Sequence, residues 1–248
     1  MNTLVMRLTL AIFLLIPMYY VQAADPAPRV RISTSFGDMI VELDNIRAPR
    51  TVENFLRYVR ESAYDGTIFH RVIGDFMIQG GAYTASYEAR PVHAAIQSEA
   101  NNGLQNKRGT IAMAREYDPH TATNQFFINV EDNNFLNHHK PEPGYWGYTV
   151  FGKVTEGMDV LDRIRAVPTG VGGPFSKDVP LTQVLIKKIS IEPPAPTTTL
   201  ASADASPSPV KAAADQKKTA KKSTKKKTNK DAKAKDPGVK QDDKVAAQ

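Results

Sequence analysis

The chain has 248 residues, no cysteine and a formal net charge of +6. The lack of cysteine excludes a disulfide framework and thiol chemistry. The positive charge does not argue for a nucleic-acid-binding fold, because residues 194–248 hold 13 Lys and 6 Asp, a net of +7, while residues 24–193 carry a net of −2.

Residues 1–23 read as a cleavable secretory signal. Arg7 gives a positive start, Leu8 to Ile16 is apolar, and Val21-Gln22-Ala23 supplies a small residue at the cut, expected after Ala23. The apolar run is shorter than the roughly 20 residues of a spanning helix and is closed by Pro17, so no membrane span is expected once the signal is removed. A secreted protein is therefore expected. At the other end, residues 194–248 are rich in Lys, Ala, Thr, Ser, Pro and Asp. Such a segment buries too little apolar surface to offset its ordering entropy and is expected to be a disordered basic tail. It is either a solvated tail or a tether to an anionic envelope polymer. Residues 24–193 remain, enough for one domain with its own core.

Within that body, Val30, Ile32 and Thr34 alternate with Arg31 and Ser33, and Met39 to Leu43 follows Gly37-Asp38, as in two strands joined by a tight turn. Pro49 opens a helix whose apolar face is Val52, Phe55, Leu56 and Val59, with Glu53 and Arg57 spaced to pair on its wet side. Short strand-like runs recur at Ile68–Val72, Phe76–Gln79, Gly109–Ala114, Gln125–Val130 and Tyr148–Val154. A second helix fits Met158 to Arg165 before Pro168, and a last strand lies within Leu181 to Ile191. Residues 82–107 and 131–147 read as long loops. Many short strands with two helices imply a mainly β fold, a closed or nearly closed antiparallel barrel with helices capping it.

The chemistry is sparse by motif. There is no His-Glu-x-x-His, no Gly-x-Ser-x-Gly and no phosphate loop, and the adjacent His138-His139 reads as a solvated pair, so neither a metal nor a cofactor is expected. The most informative run is Phe69-His70-Arg71-Val72-Ile73-Gly74-Asp75-Phe76-Met77-Ile78-Gln79-Gly80-Gly81. It sets one permanently charged guanidinium among aromatic, thioether and aliphatic side chains, which suits an apolar ligand that carries an amide. Ala114 and Arg115 close a second run, Gln125-Phe126-Phe127-Ile128 forms a third, and Phe135-Leu136 and Tyr148 follow. Each of these residues taken singly reads as core or as a solvated charge.

Together, in this order, the segments resemble the cyclophilins, a family of peptidyl-prolyl cis-trans isomerases. The resemblance covers residues 30–192 and rests on the run 69–81, on Gln125-Phe126-Phe127-Ile128 and on Val150-Phe151-Gly152-Lys153-Val154. Secreted bacterial members are the most similar. The resemblance implies an eight-stranded antiparallel barrel capped by two helices, acting without a metal or cofactor on X-Pro segments of polypeptides. Arg71 and Gln79 would be catalytic. Phe76, Met77, Phe127 and Leu136 would hold the proline ring, and Ala114, Arg115 and Gln125 would line the groove before it. No exposed apolar face argues for an oligomer, so a monomer is expected. A pocket that only binds X-Pro segments, and a tail that is itself the main functional part, are the competing readings.

Three positions depart from the common family pattern. Phe135 stands where many members have Trp, Tyr148 where many have His, and Arg115 where many have Asn. Losing the indole N–H implies weak inhibition by cyclosporin with isomerase activity retained. Tyr148 keeps an aromatic wall, and Arg115 is expected to contribute mainly through its backbone. Whether Trp146 fills the place left by the missing indole is open.

Overall fold

A computed structural model describes residues 27–193 of the chain. The segments read as signal, 1–23, and basic tail, 194–248, lie outside the described residues. Among the described residues ten strands form: β1 Arg29–Thr34, β2 Gly37–Leu43, β3 Thr67–Ile73, β4 Met77–Thr84, β5 Thr110–Met113, β6 Phe126–Asn129, β7 Val150–Glu156, β8 Thr169–Gly172, β9 Phe175–Pro180 and β10 Val184–Glu192. Two helices join them, α1 Pro49–Arg60 and α2 Met158–Arg165. Eight strands close into an antiparallel barrel in the order β1-β10-β3-β4-β6-β5-β7-β2, as expected, while β8 and β9 form a separate hairpin.

Alternation builds the barrel. Val30 and Ile32 of β1 and Met39, Val41 and Leu43 of β2 turn inward, and the strands are joined by a turn in which the Thr34 hydroxyl donates to the Gly37 carbonyl at 2.7 Å. Helix α1 covers the same core. Its Phe55 is fully buried and meets Tyr64 at 5.2 Å, Phe151 at 5.2 Å and Phe126 edge-on at 5.6 Å. Phe126 also receives Tyr64 and Phe69 edge-on, so five rings from the helix, the following turn and three strands lock together.

Helix α1 has no side-chain cap of its own, because Ala48 precedes it. Glu99, remote in sequence, does that work. Its carboxylate accepts from the Arg50 and Thr51 backbone N–H groups at 3.1 and 2.9 Å and from the Thr51 hydroxyl at 2.7 Å. The expected Glu53–Arg57 pair does not form. Arg57 instead pairs with Glu61, and Glu53 with Arg60. All four groups are exposed, so the exchange costs little.

The hairpin β8–β9 was not foreseen. Its exposed positions outnumber its buried ones, and Gly170, Gly172 and Gly173 interrupt any apolar alternation. The loops at 82–107 and 131–147 are long, as expected, although β4 extends to Thr84.

Candidate active site

The site is built on the outer face of the barrel wall, and a β-bulge makes it possible. In the β3–β4 ladder Phe69 pairs with Gly80 and Arg71 with Gln79, so His70 is an extra residue on β3. Phe69 and Val72 both belong to the interior core. Strict alternation would send Arg71 to the same side as Phe69. The bulge puts both His70 and Arg71 on the outside. Gly80 accommodates the bulge, because a Cβ there would lie 2.9 Å from the Ile68 carbonyl oxygen and 2.9 Å from the Phe69 ring.

From Arg71 a row runs across the wall. Arg71 pairs with Gln79, Gln79 with Phe127, Phe127 with Ala112, and Ala112 with Val150. Phe76, Met77, Ala112, Phe127, Leu136 and Val150 pack there as a second apolar cluster, distinct from the core, with Ala114 and Tyr148 against it. The structure therefore gathers Phe76, Met77, Phe127, Leu136 and Tyr148 beside Arg71 and Gln79. Gln79 is buried, and its amide donates to the Gln125 side-chain oxygen at 2.8 Å. Gln125 also holds the next strand, since its carbonyl accepts from the Ala114 N–H at 3.0 Å.

Phe135 and Leu136 come from a short 3₁₀ turn, Asn134–Leu136. Phe135 is 40% exposed and stacks on Phe76, with centroids 5.5 Å apart. Trp146 does not take that place. It packs edge-on against His120 and His138.

Tyr148 lies edge-on to Phe127 at 5.7 Å, with the Arg115 guanidinium over its ring at 4.5 Å. Burial pushes the Tyr148 hydroxyl pKa up, and the charges of Arg115 and Arg71 oppose that shift, so both guanidinium groups are within electrostatic reach of it. Arg115, expected to contribute mainly through its backbone, also has a structural part played by its side chain. Its side chain donates to the carbonyls of Gly147 at 2.8 Å, Glu116 at 2.8 Å and Tyr117 at 3.0 Å, and reaches Pro143 at 3.4 Å. It braces the loop that carries Tyr148.

A buried asparagine network also shapes the site and was missed. Asn133 donates to the Phe76 carbonyl and to Asn129 at 2.8 Å each, Asn129 to Asn106 at 3.2 Å, and Asn106 to the Leu136 carbonyl at 3.1 Å. These side chains tie the Phe76 turn and the Leu136 turn to β6. In the sequence Asn106 and Asn133 read only as loop residues and Asn129 as part of a strand, because their partners are up to 57 positions away.

His70 is buried, stacked on Phe175 and edge-on to Tyr83. Desolvation first, and the Arg71 charge second, lower its pKa to about 4. A folded pKa below the unfolded value of about 6.5 means that the unfolded chain binds the proton first. The stability held above pH 6.5 is therefore lost as pH falls toward 4, by up to about 3 kcal/mol. Urea midpoints taken between pH 7 and 4.5 should fall less for His70→Gln than for wild type, and equal falls would refute this account.

Among the described residues no three His, Cys, Asp or Glu side chains gather as a metal-binding group. No helix among them is long and apolar enough to cross a membrane.

The family described as cyclophilin type peptidyl-prolyl cis-trans isomerase/CLD matches residues 29–191. A peptidyl-prolyl cis-trans isomerase of Streptomyces antibioticus is 56% identical over 162 residues, 65% of this chain and 97% of that protein. Peptidyl-prolyl cis-trans isomerase B of Escherichia coli strain K12 is 49% identical over 65% of this chain and 98% of its own. A cyclophilin-type isomerase of Cryptosporidium parvum, crystallised in the presence of the dipeptide Ala-Pro, superposes with a TM-score of 0.55 at 27% identity, covering 66% of this chain and 99% of that one.

Proposed function

The chain belongs to the cyclophilin-type peptidyl-prolyl cis-trans isomerases, and from that membership we propose that Arg71 drives X-Pro isomerisation by binding the twisted amide. Rotation about an amide faces a barrier of roughly 18–20 kcal/mol, because resonance gives the C–N bond double-bond character. The two X-Pro isomers differ by only about 0.5–1 kcal/mol. A catalyst need form no covalent bond. It must hold the deconjugated amide more tightly than either planar form.

In the twisted state the proline nitrogen regains its lone pair and becomes an acceptor. The Arg71 guanidinium donates to it. Phe76, Met77, Phe127 and Leu136 take the proline ring, whose methylenes contribute about 0.8 kcal/mol each on burial. Gln79, held by Gln125, orients the rotating group, and Ala114, Arg115 and Gln125 line the path of the preceding residues. Tyr148 closes one wall. The observation that carries this reading is the row Arg71–Gln79–Phe127 across β3, β4 and β6, beside an apolar cluster outside the core. No step of this mechanism transfers a proton, so the rate should vary little with pH. The test is exchange NMR on an Ala-Pro peptide with wild type and Arg71→Ala. Equal rates would reduce the pocket to a binder of X-Pro segments.

The clients in this proposal are secreted proteins folding in the periplasm. The support is the signal-like character of residues 1–23 and the basic composition of residues 194–248, which suits contact with an anionic envelope polymer. A mature N-terminus at Ala24, read by mass spectrometry, checks the first point. Binding to anionic polymers with and without residues 194–248, at several salt concentrations, checks the second.

Phe135 offers an aromatic face but no N–H donor. Phe135→Trp should tighten cyclosporin binding by about tenfold, the equivalent of one hydrogen bond of roughly 1–1.5 kcal/mol, with the isomerase rate little changed. An unchanged affinity by titration would remove Phe135 as the cause of weak inhibition.

A further inference from the structure

The hairpin β8–β9 lies outside the barrel and packs on the bulge that aims Arg71. Its side chains reach both outward residues of the bulge. Phe175 stacks on His70 with centroids 5.4 Å apart, and the Asp178 carboxylate lies 3.6 Å from Arg71 Nε. His70 and Arg71 are the two residues turned outward by the β3 bulge, so the hairpin grips both.

The hairpin is itself irregular at this point. Gly170 pairs with Val179, but Gly172 pairs with Phe175, so β9 carries two extra residues in the stretch that includes Asp178. Asp178 has φ +64, in the left-handed region. A residue other than glycine there costs on the order of 1–2 kcal/mol, and Asp is among the few that tolerate it. Backbone strain is thus concentrated where a carboxylate faces the guanidinium. Both groups are largely withdrawn from solvent, at 14% and 23% side-chain exposure, so the pair is screened less than a surface one.

The geometry points to Asp178 as a positioning residue for Arg71, with the β8–β9 hairpin as its mount. This rests on the reading of Arg71 as the donor to the proline nitrogen. An arginine side chain left to itself samples many rotamers, and a misplacement of 1 Å can cost about 100-fold in rate. An ion pair through Nε fixes the guanidinium plane from its stem side. Asp178 does not touch the substrate. It acts on turnover by holding Arg71 where the lone pair will form.

The test uses the full chain and an Ala-Pro peptide, with binding and exchange rates separated by NMR line shapes. Asp178→Asn removes the charge but keeps a residue that tolerates the left-handed backbone. It should lower kcat by about tenfold, with KM changed by less than about twofold. Asp178→Gly, which suits the backbone and has no side chain, should do the same. In an Arg71→Ala background neither should cause a further loss, because two residues acting through one group are not additive. Full kcat in Asp178→Asn would overturn the proposal, and so would a change confined to KM. The same tenfold loss without Arg71 would overturn it too, as would normal turnover in Asp178→Gly. Wild-type rates in Arg71→Ala alone would instead sink the underlying assignment of the donor. Urea midpoints for each variant separate these results from unfolding.

Discussion

Arg71→Ala is expected to lower kcat/KM on an Ala-Pro peptide by about 100- to 1,000-fold, the loss that follows removal of one preorganised donor aimed at a transition state. The size follows from where the side chain stands. Arg71 is 14% exposed, beside an apolar cluster that excludes much of the water that would otherwise solvate the twisted amide. A donor in such surroundings acts more strongly than in bulk water. It also favours the twisted state selectively, since the planar amide nitrogen offers no lone pair. The loss should therefore fall on turnover, with peptide affinity nearly kept. Arg71→Lys should recover only part of the rate, because an ammonium on a flexible stem lacks the planar fork. A variant that kept wild-type turnover, or lost only affinity, would remove Arg71 from the mechanism.

Phe55→Ala is expected to destabilise the fold by about 3–5 kcal/mol, the range for truncating a well-packed buried phenylalanine. Phe55 is fully buried and touches Tyr64, Phe126 and Phe151, so no flexible neighbour is available to fill the space. This is a large part of the roughly 5–15 kcal/mol that holds a typical domain together. The effect should appear as a lower urea midpoint at an unchanged slope, with Phe55→Leu losing much less. A loss below about 1 kcal/mol would show that α1 contributes little to closing the core. The same substitution touches the site indirectly. Phe126 faces the core while its neighbour Phe127 packs in the second apolar cluster, so loosening the ring cluster loosens the wall that carries Phe127.

Most of the frame was legible in the sequence because it depends on near neighbours. The alternation of Val30 and Ile32 and the spacing of Val52, Phe55, Leu56 and Val59 show which faces are buried, and the barrel follows. The run 69–81 stood out for the same reason: its unusual chemistry is contiguous. Legibility stopped where a residue's partner is distant. Glu99 caps a helix that begins about 50 positions earlier, and the Asn106–Asn129–Asn133 network joins segments that share no local pattern. Arg115 looked like a groove residue acting by its backbone, yet its guanidinium gathers the carbonyls of Gly147, Glu116 and Tyr117. The hairpin β8–β9 buries too little to leave an apolar signature.

The sequence by itself determined the family, the elements of the barrel and the separation of a nearly neutral body from a strongly basic C-terminal segment. These follow from composition, from periods of two and 3.6 residues, and from motifs read along the chain. Only the tertiary structure decided which way Arg71 faces and what stands beside it. A period of two would have put Arg71 on the side of Phe69, in the core. One extra residue, His70, reverses that, and it is visible only in the pairing of β3 with Gly80 and Gln79 of β4. Asp178 then meets Arg71 across 107 positions of chain. A bulge is a property of two strands in register, and an ion pair is a property of where the chain returns, so neither has a local signal to read.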